Sequence, residues 1–149
     1  MANNQPDQRS QMPQTIIGNW LKLLTRSVET RDLAAHMQLI SERVKVYGLP
    51  GGQIVDYNQW QKRRYTEFSQ AQLLALAYRL LNIKTSTPRR LGFHVEETMQ
   101  ACNGICIFID KDIILERETD DQWRVVEENI HHWKLEQAKK YHERQNLSN

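Results

Sequence analysis

Glu97 is the residue whose position most directly suggests chemistry. It shares a period-two face with Phe93, Val95 and Met99, in a stretch whose alternation predicts a β-strand. A carboxylate on an apolar row that faces the core is costly unless it is paired or lines a wet cavity. Desolvation in such a cavity favours the protonated carboxyl, which is the form useful in acid–base catalysis. Glu97 is therefore a candidate catalytic residue.

Glu128 and His132 form a second candidate group. They share a period-two face with Val126 and Ile130 in a later predicted strand. If one central strand separates the two rows, the backbones that carry Glu97 and Glu128 lie two strand spacings apart, roughly 10 Å. Both carboxylates could then reach one substrate from neighbouring walls. We predict Glu97, Glu128 and His132 as catalytic residues.

A purely structural role for the two glutamates stays open. Lys111 or Arg117 could neutralise a glutamate, or the end of a strand could fray into solvent. A one-residue bulge would also reverse which side chains of a strand face the core. In each of these cases the acid–base pair would not form.

The other reactive side chains favour structural roles. His94, His131 and His132 lack the His-x-His or His-Glu-x-x-His spacing of a metal site, so we predict no metal, and we predict no cofactor. The chain has two cysteines, Cys102 and Cys106, too few for a disulfide framework. We expect them to be free thiols in a reducing compartment, which predicts a cytoplasmic protein.

Length and composition predict one globular domain. The chain has 149 residues, 40% of them hydrophobic and 26% charged, and Lys and Arg number 20 against 18 Asp and Glu. Such a small excess of positive charge gives no strong field toward nucleic acid, and no apolar run is long enough to span a bilayer. We predict a flexible tail over 1–13, a domain over 14–133 and a polar, helix-permissive tail over 134–149.

Periodicity and cap residues predict helices in the first half of the chain. Apolar spacings of three and four indicate a helix over 15–28, and Thr30 offers a cap for a second helix. A short strand over 43–47 leads into Gly-Leu-Pro-Gly-Gly at 48–52, which must turn the chain. Asp56 with Gln59 three residues later is a capping box for a third helix over 57–70.

The second half of the chain predicts strands joined by short polar turns. A strand over 74–85 is followed by an alternating stretch from Phe93 to Met99, a long strand over 105–119 with a bulge or bend expected at 110–112, and a last strand over 122–133. The fold class is therefore α+β. The N-terminal helices then cover one side of a strongly curved, mostly antiparallel sheet.

Three segments carry a resemblance to a known family. They are TRDLAAHMQLISERVKVYG at 30–48, the glycine-rich loop before DYNQWQKRRYTEF at 56–68, and ERETDDQWRVVEENI at 116–130. Together they resemble the nuclear transport factor 2-like superfamily, which includes ketosteroid isomerases and SnoaL-like polyketide cyclases. The resemblance covers roughly 15–133 and specifies a fold, because none of the three segments is a catalytic signature.

The resemblance implies a conical cavity with the loop at 48–52 near its mouth. The residues that we expect to line this cavity and bind a ligand are Trp20, Met37, Val46, Gly48, Phe93, Val95 and Ile130.

The catalytic groups of ketosteroid isomerases are missing from the corresponding positions. The position of the isomerase Tyr corresponds to Trp20, that of the Asp base to Gly48, and that of the Asp donor to Ile114 or Leu115. None of the three groups is present, which argues against a steroid-isomerase mechanism.

Three functions therefore stay open, and we favour the first. It is a domain that binds a small apolar molecule, with no established catalysis, in a homodimer that packs through the outer face of the sheet. The alternative is an isomerase, cyclase or hydrolase of the SnoaL-like type in which Glu97, Glu128 or His132 transfers a proton. The third is a protein-interaction module that uses the same sheet face.

Overall fold

A computed structural model describes residues 11–137 of the chain. Its elements run in the order α1 (Pro13–Glu29), α2 (Leu33–Met37), β1 (Ile40–Tyr47), α3 (Tyr57–Ser69), β2 (Leu73–Thr87), β3 (Arg90–Ala101), β4 (Ile105–Arg117) and β5 (Trp123–Gln137). Helices precede an antiparallel meander, which confirms the predicted α+β class.

The two opening helices have the predicted buried stripe, but the residue that caps the second helix differs from the prediction. Pro13 begins α1, where its missing N–H is not needed. The expectation that Thr30 caps the second helix is wrong, because Asp32 is the N-cap and accepts a hydrogen bond from the backbone N–H of Ala35 at 3.0 Å. The buried face of α1 contains Ile16, Ile17, Trp20, Leu24, Ser27 and Val28.

The capping box predicted before α3 is present. Asp56 Oδ1 accepts a hydrogen bond from the Gln59 N–H at 2.9 Å, and Gln59 Oε1 accepts one from the Asp56 N–H at 3.1 Å. These bonds satisfy two backbone donors that a helix start leaves open. They fix the first turn of α3, from which Trp60 reaches the interior.

The five strands form one sheet in the order β1-β5-β4-β3-β2. β1 is parallel to β5, and the other pairs are antiparallel. β4 therefore lies between β3 and β5, as the argument for a shared Glu97–Glu128 site required. Helices and sheet meet in a core that includes Ile17, Trp20, Leu24, Val28, Phe93, Val95, Ile113, Leu115 and Val125.

Two register shifts in β5 decide which of its side chains face the helices. β5 has an extra residue, Val126, opposite Leu115, and another, His131, between the partners of Asp110 and Lys111. Each extra residue resets the alternation of the strand. Glu128 therefore does not share a regular period-two face with Val126 or with His132, and the structure corrects the predicted row at both points.

Strands β2 and β5 both continue past their predicted C-terminal limits. β2 spans Leu73–Thr87, close to the predicted 74–85, and β5 continues through Gln137, past the predicted end of the sheet at Trp133. The predicted tails fall largely on 1–10 and 138–149, which lie outside the described residues. Within 11–137, every helix is too short or too polar to cross a membrane.

Gly48 ends β1 at a point where the chain passes very close to β5. Its φ is +87°, and a Cβ added there would lie 2.1 Å from the carbonyl oxygen of Ile130. Glycine is needed at this position for both reasons, because L side chains disfavour positive φ and the strand leaves no space for a methyl group. Glycine at 48 therefore lets the backbone after β1 pass directly beside β5.

Replacing Gly48 with Ala should cost about 3 kcal/mol of unfolding free energy, because strain at positive φ adds to a clash with β5. Gly51→Ala is the matched control. Its φ is +80°, but nothing lies within 4 Å of an added Cβ, so strain alone should cost about 1 kcal/mol. Urea denaturation of the two variants measures the difference, and equal losses would show that β5 yields to the methyl group.

Candidate functional site

A cavity of about 300 Å³ lies on the helix-covered face of the sheet. Its wall is mainly apolar and comes from β1, the loop after β1, α3 and strands β3 to β5, with charged groups from α3 and from the middle of the sheet. The lining residues are Val46, Leu49, Pro50, Val55, Trp60, Arg63, Arg64, Glu67, Glu97, Met99, Ile107, Ile109, Lys111, Glu128, Ile130 and Trp133.

Three charged side chains from adjacent strands meet at the inner end of this cavity. Lys111 on β4 places its Nζ 2.9 Å from Glu97 Oε2 on β3 and 3.0 Å from Glu128 Oε1 on β5. All three side chains are at most 6% exposed. We call Glu97, Lys111 and Glu128 the buried triad. On its other side the packed core continues through Phe93 and Ile113.

Glu97 and Glu128 both lie in the wall of this cavity, and Lys111 pairs with both, as in the structural alternative in which Lys111 neutralises a glutamate. Burying one ammonium is expensive, and two carboxylates within hydrogen-bond distance offset that cost. Arg117, the other cation considered, pairs with Asp121 instead, at 3.0 Å. One positive charge between two negative ones leaves a net charge of −1 if both carboxyl groups are ionised.

The environment separates the pKa values of the two carboxyl groups. Burial would raise the pKa of Glu97, but Lys111 and the Tyr78 hydroxyl outweigh it, so the net shift is downward. Burial raises the pKa of Glu128, and the negative charge of Glu97 raises it further against the opposing effect of Lys111. The difference follows from the contacts, since Glu97 accepts two hydrogen bonds and Glu128 accepts one.

Tyr78 on β2 extends the triad to a fourth strand. Its hydroxyl donates a short hydrogen bond to Glu97 Oε2, the same oxygen that contacts Lys111. Burial and the two nearby glutamates raise the pKa of Tyr78 well above its ordinary range, so the phenol keeps its proton. Glu97 Oε1 and Glu128 Oε2 accept no hydrogen bond from the described residues, and these oxygens can receive a donor from a ligand.

A buried histidine holds the arginine that lines the opposite wall. His36 Nε2 accepts hydrogen bonds from Trp60 Nε1 at 3.0 Å and from Arg64 Nε at 3.2 Å. Its Nδ1 therefore carries the proton and donates to Ser27 Oγ at 2.9 Å. Burial, assisted by Arg64, lowers the pKa of His36 to about 2, so the ring stays neutral. Arg64 also pairs with Glu67 at 2.6 Å, which fixes the guanidinium beside the cavity.

The structure places the predicted ligand-binding residues in two environments. Val46 and Ile130 line the cavity, and Gly48 lies against the Ile130 backbone. Trp20, Phe93 and Val95 are buried in the core beyond the cavity, and Trp20 Nε1 donates to the Leu39 carbonyl at 3.2 Å. Met37 is also a core residue, next to a separate, more polar depression.

His132 is not brought together with the other two predicted catalytic residues. Its backbone pairs with Asp110, and its side chain is exposed. Paired residues of an antiparallel ladder project to the same face, and Asp110 projects away from the helices because its neighbour Lys111 projects into the cavity. The extra residue His131 thus turns His132 to the outer face and returns Trp133 to the cavity.

Several site residues were not identified from the sequence. Lys111 entered only as a neutralising charge, and Tyr78, Arg64 and Glu67 were not considered. A lysine between two apolar runs, in GICIFIDKDIIL, was the one available signal for a buried cation. The residues that could together ligate a metal, His94, Asp112 and His131, lie on the outer face of the sheet rather than in the cavity.

Comparison with known proteins identifies the fold. No known protein-family model matches the sequence. A search of curated proteins also finds no match. Many solved structures do match, and the predicted nuclear transport factor 2-like (NTF2-like) fold is confirmed.

Three of these structures show the range of proteins with this fold. An NTF2-like protein of unknown function from Shewanella oneidensis has a TM-score of 0.65 at 17% identity, covering 80% of this chain and 98% of its own. A candidate scytalone dehydratase from Novosphingobium aromaticivorans has a TM-score of 0.60 at 9% identity, covering 80% of this chain and 85% of its own. A ketosteroid isomerase-like protein from Erwinia carotovora has a TM-score of 0.59 at 11% identity, covering 78% of this chain and 92% of its own. At such identities the match defines the fold, and no catalysis is established for this chain.

Lys111→Met should destabilise the protein by about 3–5 kcal/mol, because it leaves Glu97 and Glu128 buried without a cation. Urea denaturation at neutral pH measures the loss. Arg79→Met is the matched control, since the Arg79–Glu96 pair spans neighbouring strands on the surface, with side chains 70% and 48% exposed. That change should cost less than about 1 kcal/mol.

Adding Glu97→Gln and Glu128→Gln to Lys111→Met should recover much of the lost stability, because no buried charge is then left uncompensated. A triple variant as unstable as Lys111→Met would show that packing of the lysine stem, rather than its charge, stabilises this layer.

Proposed function

We propose that this chain, which has the NTF2-like fold, binds a small organic molecule in the cavity beside the buried triad. The observation that carries the proposal is the combination of a cavity of about 300 Å³ with buried ionisable side chains in its wall. Ligand sites in proteins are typically apolar clefts of this size with a few converging polar groups. Burying ionisable groups at the edge of an apolar space is costly, and the polar end of a ligand would offset part of that cost.

The chemistry of the wall defines the class of ligand. Met99, Ile107, Ile109 and Trp133 would contact an apolar body. The unoccupied oxygens of the triad accept hydrogen bonds, so the polar end of the ligand would carry a donor such as a hydroxyl or an amide N–H. We therefore refine the small apolar ligand expected from the sequence to an apolar molecule with at least one hydrogen-bond donor.

Native mass spectrometry of the purified chain tests for a retained molecule, seen as extra mass that is lost on denaturation. The matched probes 2-naphthol and naphthalene, compared by ligand-observed NMR, test the polar end. We expect 2-naphthol to bind at least about tenfold more tightly, because its hydroxyl can donate to the triad. Ile107→Trp should fill the cavity and abolish binding, whereas Leu81→Trp, at a residue 43% exposed and outside the cavity wall, should not.

The proposal would be wrong if the protein retained no molecule and neither probe bound. Equal binding of the two probes, abolished by Ile107→Trp, would support an apolar cavity but contradict the role given to the triad.

Proton transfer within the same cavity is the second candidate function, and the raised pKa of Glu128 favours it. Catalytic sites commonly push the pKa values of two neighbouring acids apart, so that one donates a proton and the other stays ionised. Here Glu128 would be the acid or base, and Glu97 would stay ionised beside Lys111. The exposed His132 lies on the other face and is not part of this mechanism.

The pH dependence of stability in Glu128→Gln tests the protonation of Glu128. A carboxyl group whose folded pKa is raised stabilises the fold below its ordinary value of 4.5, and this contribution is lost as the pH rises through the folded pKa. Glutamine does not titrate. Relative to wild type, Glu128→Gln should therefore gain stability as the pH rises from 4.5 to 8, measured by urea denaturation at several pH values.

Glu97→Gln is the control with the opposite sign. The folded pKa of Glu97 is lowered, so its ionised form stabilises the fold above 4.5, and this contribution is lost as the pH falls through the folded pKa. Glu97→Gln should therefore lose stability relative to wild type as the pH rises toward 4.5, and the difference should stay level between 4.5 and 8. The same slope in both variants would contradict the assignment of the proton to Glu128.

Assembly as a homodimer and a cytoplasmic location stay predictions. The outer face of the sheet bears the half-buried apolar residues Phe108 and Ile114 beside charged ones, which is consistent with a dimer surface. Sedimentation velocity at micromolar concentration distinguishes a dimer from a monomer. The free thiols Cys102 and Cys106 are consistent with a reducing compartment.

A further inference from the structure

His94, Asp110, Asp112 and His131 form a compact cluster on the outer face of the sheet, opposite the cavity. His94 and Asp112 are paired residues of β3 and β4, and Asp110 is two residues from Asp112 on the same face. His131 is the extra residue of β5, and its Nε2 lies 2.9 Å from Asp112 Oδ2. The two imidazole rings are stacked, with centroids 5.7 Å apart. Three adjacent strands thus contribute to one group of metal-ligating side chains.

We propose that His94, Asp112 and His131 form a site for a zinc-like divalent cation on the outer face of the sheet. One ligand atom from each residue lies within 4.8 Å of the other two. His94 Nδ1 is 3.0 Å from Asp112 Oδ1, and His131 Nε2 is 2.9 Å from Asp112 Oδ2. Ligand atoms that share one tetrahedral zinc are separated by about 3.3 Å, because each lies about 2.0–2.1 Å from the ion. Small side-chain rotations would bring these atoms to that spacing.

The carboxylate oxygens of the cluster supply an independent reason for a cation. Asp110 Oδ1 and Asp112 Oδ1 are buried and accept no well-aligned hydrogen bond from residues 11–137, although His94 Nε2 and Nδ1 lie 2.5 Å and 3.0 Å from them. A buried oxygen without a donor is costly and rare in folded proteins. A cation bound to Asp112 Oδ1 would satisfy one of these two oxygens directly.

Asp110 suits the role of an outer partner to a metal-bound histidine. Its Oδ1 lies 2.5 Å from His94 Nε2, while His94 Nδ1 faces Asp112. In metal sites the ring nitrogen that does not bind the ion commonly donates its hydrogen to a carboxylate, which fixes the ring and makes the ligand more basic. Asp110 would accept that bond after a slight rotation of the ring.

The donor set selects the class of metal. Two imidazole nitrogens and one carboxylate oxygen suit zinc better than calcium or magnesium, which prefer oxygen ligands. Three protein ligands leave the fourth tetrahedral position for water or for an external donor. The side chain of His131 is 47% exposed, so the ion could enter from solvent.

Lys84 is a cation that would compete with the metal ion for Asp112. Its Nζ lies 3.0 Å from Asp112 Oδ2. An ammonium at this distance repels a divalent ion, and it also holds the carboxylate in place with Oδ1 turned to His94. The site should therefore bind zinc more tightly when Lys84 is removed, an effect that damage to the fold cannot produce.

Isothermal titration calorimetry of the full chain with zinc chloride tests the proposal. We expect one zinc per chain, and a loss of affinity of at least about tenfold in both Asp112→Asn and His131→Asn. His132→Asn is the matched control, since His132 neighbours His131 but lies outside the ligand group, and its affinity should equal that of wild type. Lys84→Met should bind about two- to fivefold more tightly.

The absorption spectrum with cobalt(II) in place of zinc adds a readout of geometry. Strong visible bands indicate a four-coordinate ion, and circular dichroism confirms that each variant is folded. The proposal fails if wild type does not bind zinc at one per chain. It also fails if Asp112→Asn and His131→Asn bind as wild type does, because the ion would then be held by other residues.

Discussion

Lys111 places one ammonium group between two carboxylates at the centre of the sheet, and the division of the interior depends on this contact. On one side of the triad the space between sheet and helices is filled by Phe93 and Ile113, and on the other side it is open. An open space beside a close-packed core costs stability, so the side chains at this boundary need specific contacts that fix their positions. Buried groups of opposite charge stay in position because each one stabilises the other.

The shared lysine also explains why the two carboxyl groups are unequal. A single ammonium cannot fully compensate two buried negative charges, so the two carboxyl groups compete for it and their pKa values move apart. The Tyr78 hydroxyl adds to the difference, because its hydrogen bond stabilises the ionised form of Glu97 only. The pair therefore presents two carboxyl groups of different acidity to the cavity, an asymmetry that serves binding and proton transfer alike.

The sequence predicts those features that depend on neighbouring residues. The capping box of Asp56 and Gln59, the order of elements and the inward glutamate Glu97 all follow from local spacing. Features set by the register between strands could not be predicted in this way. The extra residue His131 in β5 reverses its alternation after Ile130, and for this reason His132 was assigned to the wrong face. The contacts of Tyr78 with Glu97 and of His94 with Asp112 likewise exist only after the strands are paired.

The segment Asp110-Lys111-Asp112 shows how charge can specify that register. Lys111 faces the cavity and completes the buried triad, while Asp110 and Asp112 face outward and complete the histidine cluster. A slip of β4 by one residue would turn both aspartates inward beside Glu97 and Glu128 and would expose the lysine. Four carboxyl groups would then be buried without their cation, a cost that adds to the loss of apolar contacts. The alternation of charge along β4 therefore disfavours the wrong pairing together with the apolar pattern.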